Sequence, residues 1–140
     1  MNYEEYKAAY FTDPQPEPRF TFRGLVGVSI SVKDYDNAIA YYTNVLGAPA
    51  YVEDQEVRGW QLGNSWLSLF PSTQDDARNS DVSIELELES VAQAEELQQA
   101  MVEAGGTGTE PVDTFLYYPI RMCAVKDPFG LQWVVYSRLD

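Results

Sequence analysis

The sequence predicts an α+β fold in which one unit, strand–helix–three strands, occurs twice. Three observations point to it. The segments 25–32 and 82–88 alternate apolar and polar residues with period two, the mark of a half-buried strand. Each is followed by an amphipathic helical pattern that glycine closes, and then by three short strand-like stretches. The tripeptide Val-Ser-Ile occurs in the opening strand of both units, at 28–30 and 82–84. The repeated order of elements, more than residue identity, marks a duplicated unit.

Residues 1–23 read as an N-terminal arm. Tyr3, Tyr6 and Tyr10 fall at helical spacing, and Asp13-Pro14-Gln15-Pro16-Glu17-Pro18 ends any helix and forms a stiff linker. The tyrosine stripe is expected to dock on the domain or on a second subunit. A single domain then spans 24–140, with module one at 24–71, a linker at 72–80 and module two at 81–138. In Leu25–Val32, period two turns Val26, Val28, Ile30 and Val32 one way and Gly27, Ser29 and Ser31 the other. Asp34 stands at an N-cap position before a helix whose apolar face carries Tyr35, Ala38, Ile39, Tyr42, Val45 and Leu46, and Gly47 stops it. Strands follow at Ala50–Glu53, Arg58–Leu62 and Trp66–Phe70, with Gly63-Asn64 as a hairpin turn.

After the polar stretch 71–80 the pattern restarts. Val82, Ile84 and Leu86 share one face; Ser83, Glu85 and Glu87 share the other. Ser90 caps a helix carrying Val91, Ala94, Leu97, Met101 and Ala104, closed by Gly105-Gly106. Strands are expected near 108–116, 119–126 and 131–136, the last two joined by Asp127-Pro128-Phe129-Gly130.

The chain holds 22 acidic against 9 basic residues, a net charge of −13. Such a charge repels phosphate backbones and anionic lipid, so nucleic acid and membrane are not expected partners. A neutral or cationic small molecule suits it better. The single cysteine, Cys123, lies in an apolar run and reads as a buried, inert thiol. No leader-like or membrane-length apolar segment is present, so a soluble cytoplasmic protein is expected. The sequence contains no histidine, which removes the commonest general base and the commonest metal ligand.

Three stretches carry a family resemblance: VSISVKDYDNAIAYYTNVLG at 28–47, VSIELELESVAQAEELQQAMVEAGG at 82–106 and KDPFGLQWV at 126–134. In this order and spacing they resemble the vicinal oxygen chelate superfamily of glyoxalases, bleomycin-resistance proteins and extradiol dioxygenases, over residues 24–138. The resemblance implies two βαβββ modules forming curved mixed sheets. The helices lie on the convex side, and the concave faces enclose a pocket that a second subunit often completes, hence a homodimer. In metal-dependent members, ligands project into the concavity as His, Gln or Glu. Those positions fall here on Gly27, Ser68, Ser83 and Val134. Glycine and valine offer no donor and serine is a poor one. The expectation is therefore a member without metal or other cofactor, to which metal-dependent glyoxalase or dioxygenase chemistry does not transfer.

What remains is a shaped pocket. Candidate ligand-binding residues are Ser83, Glu85 and Glu87 on the first strand of module two, Trp66, Ser68 and Phe70 on the last strand of module one, and Gln132 and Tyr136 on the final strand. Arg121 is the one nearby cation. Trp60 and Trp133 read as core or interface residues. Glu85 and Glu87, two apart on one strand face, are expected to reinforce each other's potential and to favour cations. The preferred reading is a small-molecule-binding module, which the resemblance to drug-sequestering bleomycin-resistance proteins supports. The alternative is a metal-independent lyase or isomerase with Glu85 or Glu87 as general base and Tyr136 or Arg121 steadying an oxyanion. A third reading is an interaction role through the dimer surface.

Overall fold

The computed structural model describes residues 2–72 and 80–139. In chain order its elements are α1 (Tyr3–Tyr10), β1 (Phe22–Val32), α2 (Tyr35–Leu46), β2 (Tyr51–Glu53), β3 (Val57–Leu62), β4 (Ser65–Pro71), β5 (Ser80–Leu88), α3 (Val91–Glu103), β6 (Thr107–Gly108), β7 (Val112–Leu116), β8 (Tyr118–Lys126) and β9 (Gln132–Arg138). The two alternating segments become β1 and β5, which pair antiparallel at the centre of a nine-stranded mixed sheet of order β2-β3-β4-β1-β5-β9-β8-β6, with β7 paired to β8 off that path. The duplication is written in this topology. β4 runs parallel to β1 as β9 does to β5, and β3 runs antiparallel to β4 as β8 does to β9.

The strand expected at 108–116 is in fact two. β6 pairs with the Val125–Lys126 end of β8, and β7 with its Tyr118–Met122 end. The expected linker at 72–80 falls mostly on 73–79, outside the described residues, and Ser80 already belongs to β5.

Helices α2 and α3 cover one face of the sheet. Tyr35, Ala38, Ile39 and Tyr42 of α2 pack on Trp60, Leu67 and Leu69, with Ile30 and Val32. Ala94 and Leu97 of α3 pack on Leu88, Cys123, Val135 and Trp133. Each side chain fully buried here contributes about 1.5–3 kcal/mol. Trp60 Nε1 donates to the Gly47 carbonyl at 2.8 Å, which fixes the end of α2 on the sheet. Ser90 caps α3, accepting from Gln93 N–H at 3.1 Å. Asp34 occupies the N-cap position but makes no capping bond; its carboxylate accepts from Asn37 Nδ2 instead. Burial pushes the Cys123 thiol up to about 11, so it stays protonated and unreactive near neutral pH.

The facing of Val26 needs correction. Val26 does not share a face with Val28 and Ile30. The register against β5 shifts between Leu25 and Gly27, a β-bulge that turns Val26 onto the opposite face beside Ile120 and Tyr136. In the arm helix α1, Tyr3 stacks on Tyr6 and Tyr6 meets Tyr10 at a tilt, but none of its residues is buried. Of the two expected docking places, the tyrosine stripe is not buried on its own domain, and docking on a second subunit stays an expectation. No described helix is long and apolar enough to cross a membrane.

Candidate functional site

The face opposite the helices is concave and carries the polar half of each alternating strand. Register aligns one row across five strands: Gly59 (β3), Ser68 (β4), Ser29 (β1), Ser83 (β5) and Gln132 (β9). Beside it, Trp66, Gly27, Glu85 and Val134 form the next row. Over these rows opens a pocket of about 350 Å³. Ser29, Ser83, Glu85 and Gln132 form its polar floor. Phe70, Met122, Val134, Phe115 and Leu116 supply apolar walls, and Glu53 and Glu56 stand at the module-one side.

Glu85 is the central group of this pocket. It is 1% exposed, and among the described residues its Oε1 has no hydrogen-bond partner. Burial raises its carboxyl above the ordinary carboxylate range, and a hydrogen bond with the Ser29 hydroxyl opposes that only in part. A carboxyl in this setting gains from any ligand that donates to it.

Glu87 shares that strand face but not that environment. It lies in a separate cavity, with Arg138 Nε 3.0 Å and Arg23 Nε 3.9 Å from its Oε2. The two glutamates therefore do not act as one anionic patch; arginines that β1 and β9 bring in offset Glu87. Arg121 is a second correction. It faces away from the pocket, bonded to Glu95 of α3 at 2.9 Å and to Asp113 at 3.0 Å. On β8 it is Ile120 and Met122 that line the concavity.

The remaining candidates divide. Ser83, Phe70 and Gln132 line the pocket with Glu85. Ser68 is fully buried under Tyr117, and Trp66 carries the same ring. Tyr136 is on the concave face but packs into a cluster with Val26 and Ile120, outside the pocket lining, and burial holds its phenol protonated.

Sequence reasoning missed Tyr117. It forms the turn between β7 and β8 with φ 63°, a left-handed conformation unusual for a bulky residue. From there the ring crosses to module one. It stacks on Trp66 at 4.0 Å and 18°, meets Tyr51 edge-on at 4.9 Å, and its hydroxyl lies 2.5 Å from that of Ser68. Gly59 makes room for it: a Cβ there would come within 2.6 Å of the Tyr117 hydroxyl. Burial, set partly against the Ser68 bond, pushes the Tyr117 phenol up to about 12, so it remains a hydrogen-bond donor. Tyr117 thus clasps the two arms of the curved sheet. The only sequence signal was the doublet Tyr117-Tyr118 between two strand-like runs, with no turn residue to mark it.

The positions at which the resemblance implies metal ligands do not fit a divalent ion. Gly27 has no donor, and a Cβ there would lie 1.8 Å from the Trp66 carbonyl oxygen. The Ser68 hydroxyl is engaged by Tyr117, and Val134 offers carbon only. Among the described residues no group of three or more His, Cys, Asp or Glu is placed to hold a metal.

A family model for the glyoxalase/bleomycin resistance protein/dioxygenase superfamily matches residues 24–135. No curated protein matches the chain. Among solved structures, the chain is similar to an Mn(II)-bound glyoxalase from Novosphingobium aromaticivorans (TM-score 0.65, 19% identity, covering 84% of this chain and 39% of that one). It is similar also to methylmalonyl-CoA epimerase from Mycobacterium tuberculosis (TM-score 0.60, 16% identity, covering 92% and 97%). A third likeness is to a homoprotocatechuate 2,3-dioxygenase variant from B. fuscum (TM-score 0.67, 15% identity, covering 89% and 36%). The chain therefore spans well under half of the glyoxalase and the dioxygenase. At these identities the likeness is one of fold.

Proposed function

We propose, because the chain belongs to the glyoxalase/bleomycin resistance protein/dioxygenase superfamily, that its concave pocket binds a small neutral or cationic organic molecule without the help of a metal ion. The observation that carries this reading is Glu85, a buried carboxyl with an unpartnered oxygen at the floor of a cavity of ligand size. A ligand N–H or ammonium gives that oxygen its missing donor, while Ser29, Ser83 and Gln132 offer further hydrogen bonds and Phe70 and Phe115 pack against an apolar body. The chain's net charge of −13 works in the same direction. Sequestration of a toxic small molecule is one use of such a site.

The test compares benzylamine with benzyl alcohol by thermal shift and calorimetry. Wild type is expected to bind the amine more tightly, and Glu85→Gln to weaken it about tenfold or more. Equal affinity for the amine in both proteins, or no binding of either compound, would overturn the proposal. On the same reading, purified protein carries no stoichiometric metal. Finding Mn, Zn, Ni or Fe at one per chain, lost on chelation with a fall in Tm, would contradict it.

The raised carboxyl pKa favours a second reading, in which Glu85 is the general base of a metal-independent lyase or isomerase. Ser83 or Gln132, which line the pocket beside Glu85, would then be the donor to an oxyanion, in place of Arg121 and Tyr136. Solvent deuterium entering a carbonyl substrate, abolished in Glu85→Gln while binding persists, would identify it.

Assembly as a homodimer belongs to the same proposal. Phe115, 76% exposed on the pocket rim, and the uncovered tyrosines of α1 are apolar surface that a second copy would bury. Light scattering at micromolar concentration is expected to give twice the mass of one chain; the mass of a single chain would rule the dimer out.

A further inference from the structure

Beyond Trp66, on the same side of the sheet, lies a second cavity of about 260 Å³. Glu87 forms its base at 5% exposure, beneath Arg23 and Arg138. The Arg138 guanidinium carbon sits 3.6 Å over the centre of the Tyr118 ring, with Nε 3.0 Å from Glu87 Oε2, so the side chain is held on two sides. That ion pair lacks hydrogen-bond alignment, because among the described residues Oε2 has no bonded donor. A guanidinium carries five N–H donors in a planar fork, so one contact each to Glu87 leaves most of both forks for a ligand. Two guanidiniums against one carboxylate give the cavity a surplus of one positive charge, in a chain whose net charge is −13.

We propose that this cavity is a second ligand site, for a small organic oxyanion, a carboxylate or a phosphate monoester. Arg23 and Arg138 grip its oxygens, Asn64 adds an amide donor, and the apolar body rests against Trp66 and Tyr118. Glu87 and Tyr118 hold the Arg138 fork before the ligand arrives, which lowers the entropy lost on binding. The preference is opposite to that of the Glu85 pocket; Trp66 lines this second cavity only, and its ring is stacked on Tyr117.

The experiment titrates benzoate, phenyl phosphate and, as a neutral control, benzyl alcohol at constant ionic strength. Tryptophan fluorescence and the amide NMR shifts of Gly24 and Asn64 report binding. Four proteins are compared: wild type, Arg138→Gln, Arg23→Gln and Glu85→Gln. The Arg23 side chain is 56% exposed, so its variant leaves the fold intact even if Arg138→Gln perturbs it. Saturable binding of either oxyanion is expected, weakened about tenfold or more in each arginine variant and unchanged in Glu85→Gln. The tighter of the two ligands assigns the site to carboxylates or to phosphates. Absence of saturation, equal affinity in wild type and Arg23→Gln, or a loss in Glu85→Gln that the arginine variants do not share would each overturn the proposal. The last of these would place any bound anion in the Glu85 pocket.

Discussion

Gly27→Ala is expected to destabilise the fold by about 3 kcal/mol or more, read as a fall in Tm of roughly 10 °C. A Cβ built on Gly27 lies 1.8 Å from the carbonyl oxygen of Trp66 and 2.7–2.8 Å from its carbonyl carbon and amide nitrogen. These are backbone atoms of the neighbouring strand, which no rotamer change can move aside. Relief requires β4 to shift against β1, and that displaces Ser68 and Trp66, on which Tyr117 rests. Gly63→Ala is the control. It sits at φ 64° with nothing within 4 Å of a Cβ, so it carries only conformational strain, about 1 kcal/mol. Equal melting temperatures for the two variants would mean that β1 and β4 are not in this close approach. The functional corollary is sharp. The position where the resemblance implies a first metal ligand admits no side chain here, so Gly27→His is expected to unfold the protein before it binds metal.

Which parts of this site are legible in the sequence depends on which forces set them. Glu85 is legible, because period two needs only local information: once Ile84 and Leu86 face the helices, Glu85 faces the pocket. The same rule holds the correct place of Arg121. Cys123 reads as buried, and Arg121, two residues earlier on β8, must share its face, under α3. Placing Arg121 in the pocket as its cation contradicts that parity. Val26 fails for the converse reason. Leu25 and Val26 are both apolar, so nothing in the pattern reports the extra residue of a bulge that flips the strand's alternation between them. The environments of Glu87 and Tyr117 are out of reach. Arg23 and Arg138 reach Glu87 from β1 and β9, neighbours of β5 that are far apart in sequence and whose register no local pattern reports. Trp66 and Ser68 come to Tyr117 from module one across the curved sheet.

Glu85→Gln is expected to raise Tm by several degrees at neutral pH and to leave it unchanged in acid. Burial raises the folded-state pKa of Glu85 above its ordinary value of 4.5, and the Ser29 hydroxyl offsets this only partly. Between the unfolded and the folded pKa the native protein therefore binds more protons than the unfolded chain, and stability falls as pH rises. The contribution is fully present below about 4.5 and lost as pH climbs through the folded pKa. The groups around it do little to reverse that sign. Gly27 and Val134 flank it without charge, Tyr117 and Tyr136 keep their protons, and Glu53 and Glu56 across the pocket bring only further negative charge. Glutamine keeps the shape and removes the ionisation, so its stability curve loses this slope. Melting curves of the two proteins that run parallel from pH 4 to pH 8 would show that Glu85 ionises without penalty, and would remove the basis for its role. If the curves diverge as expected, the same free energy governs ligand binding. An ammonium seated against Glu85 displaces its proton, so benzylamine affinity in wild type must rise with pH over the interval in which stability falls, and must be flat there in Glu85→Gln.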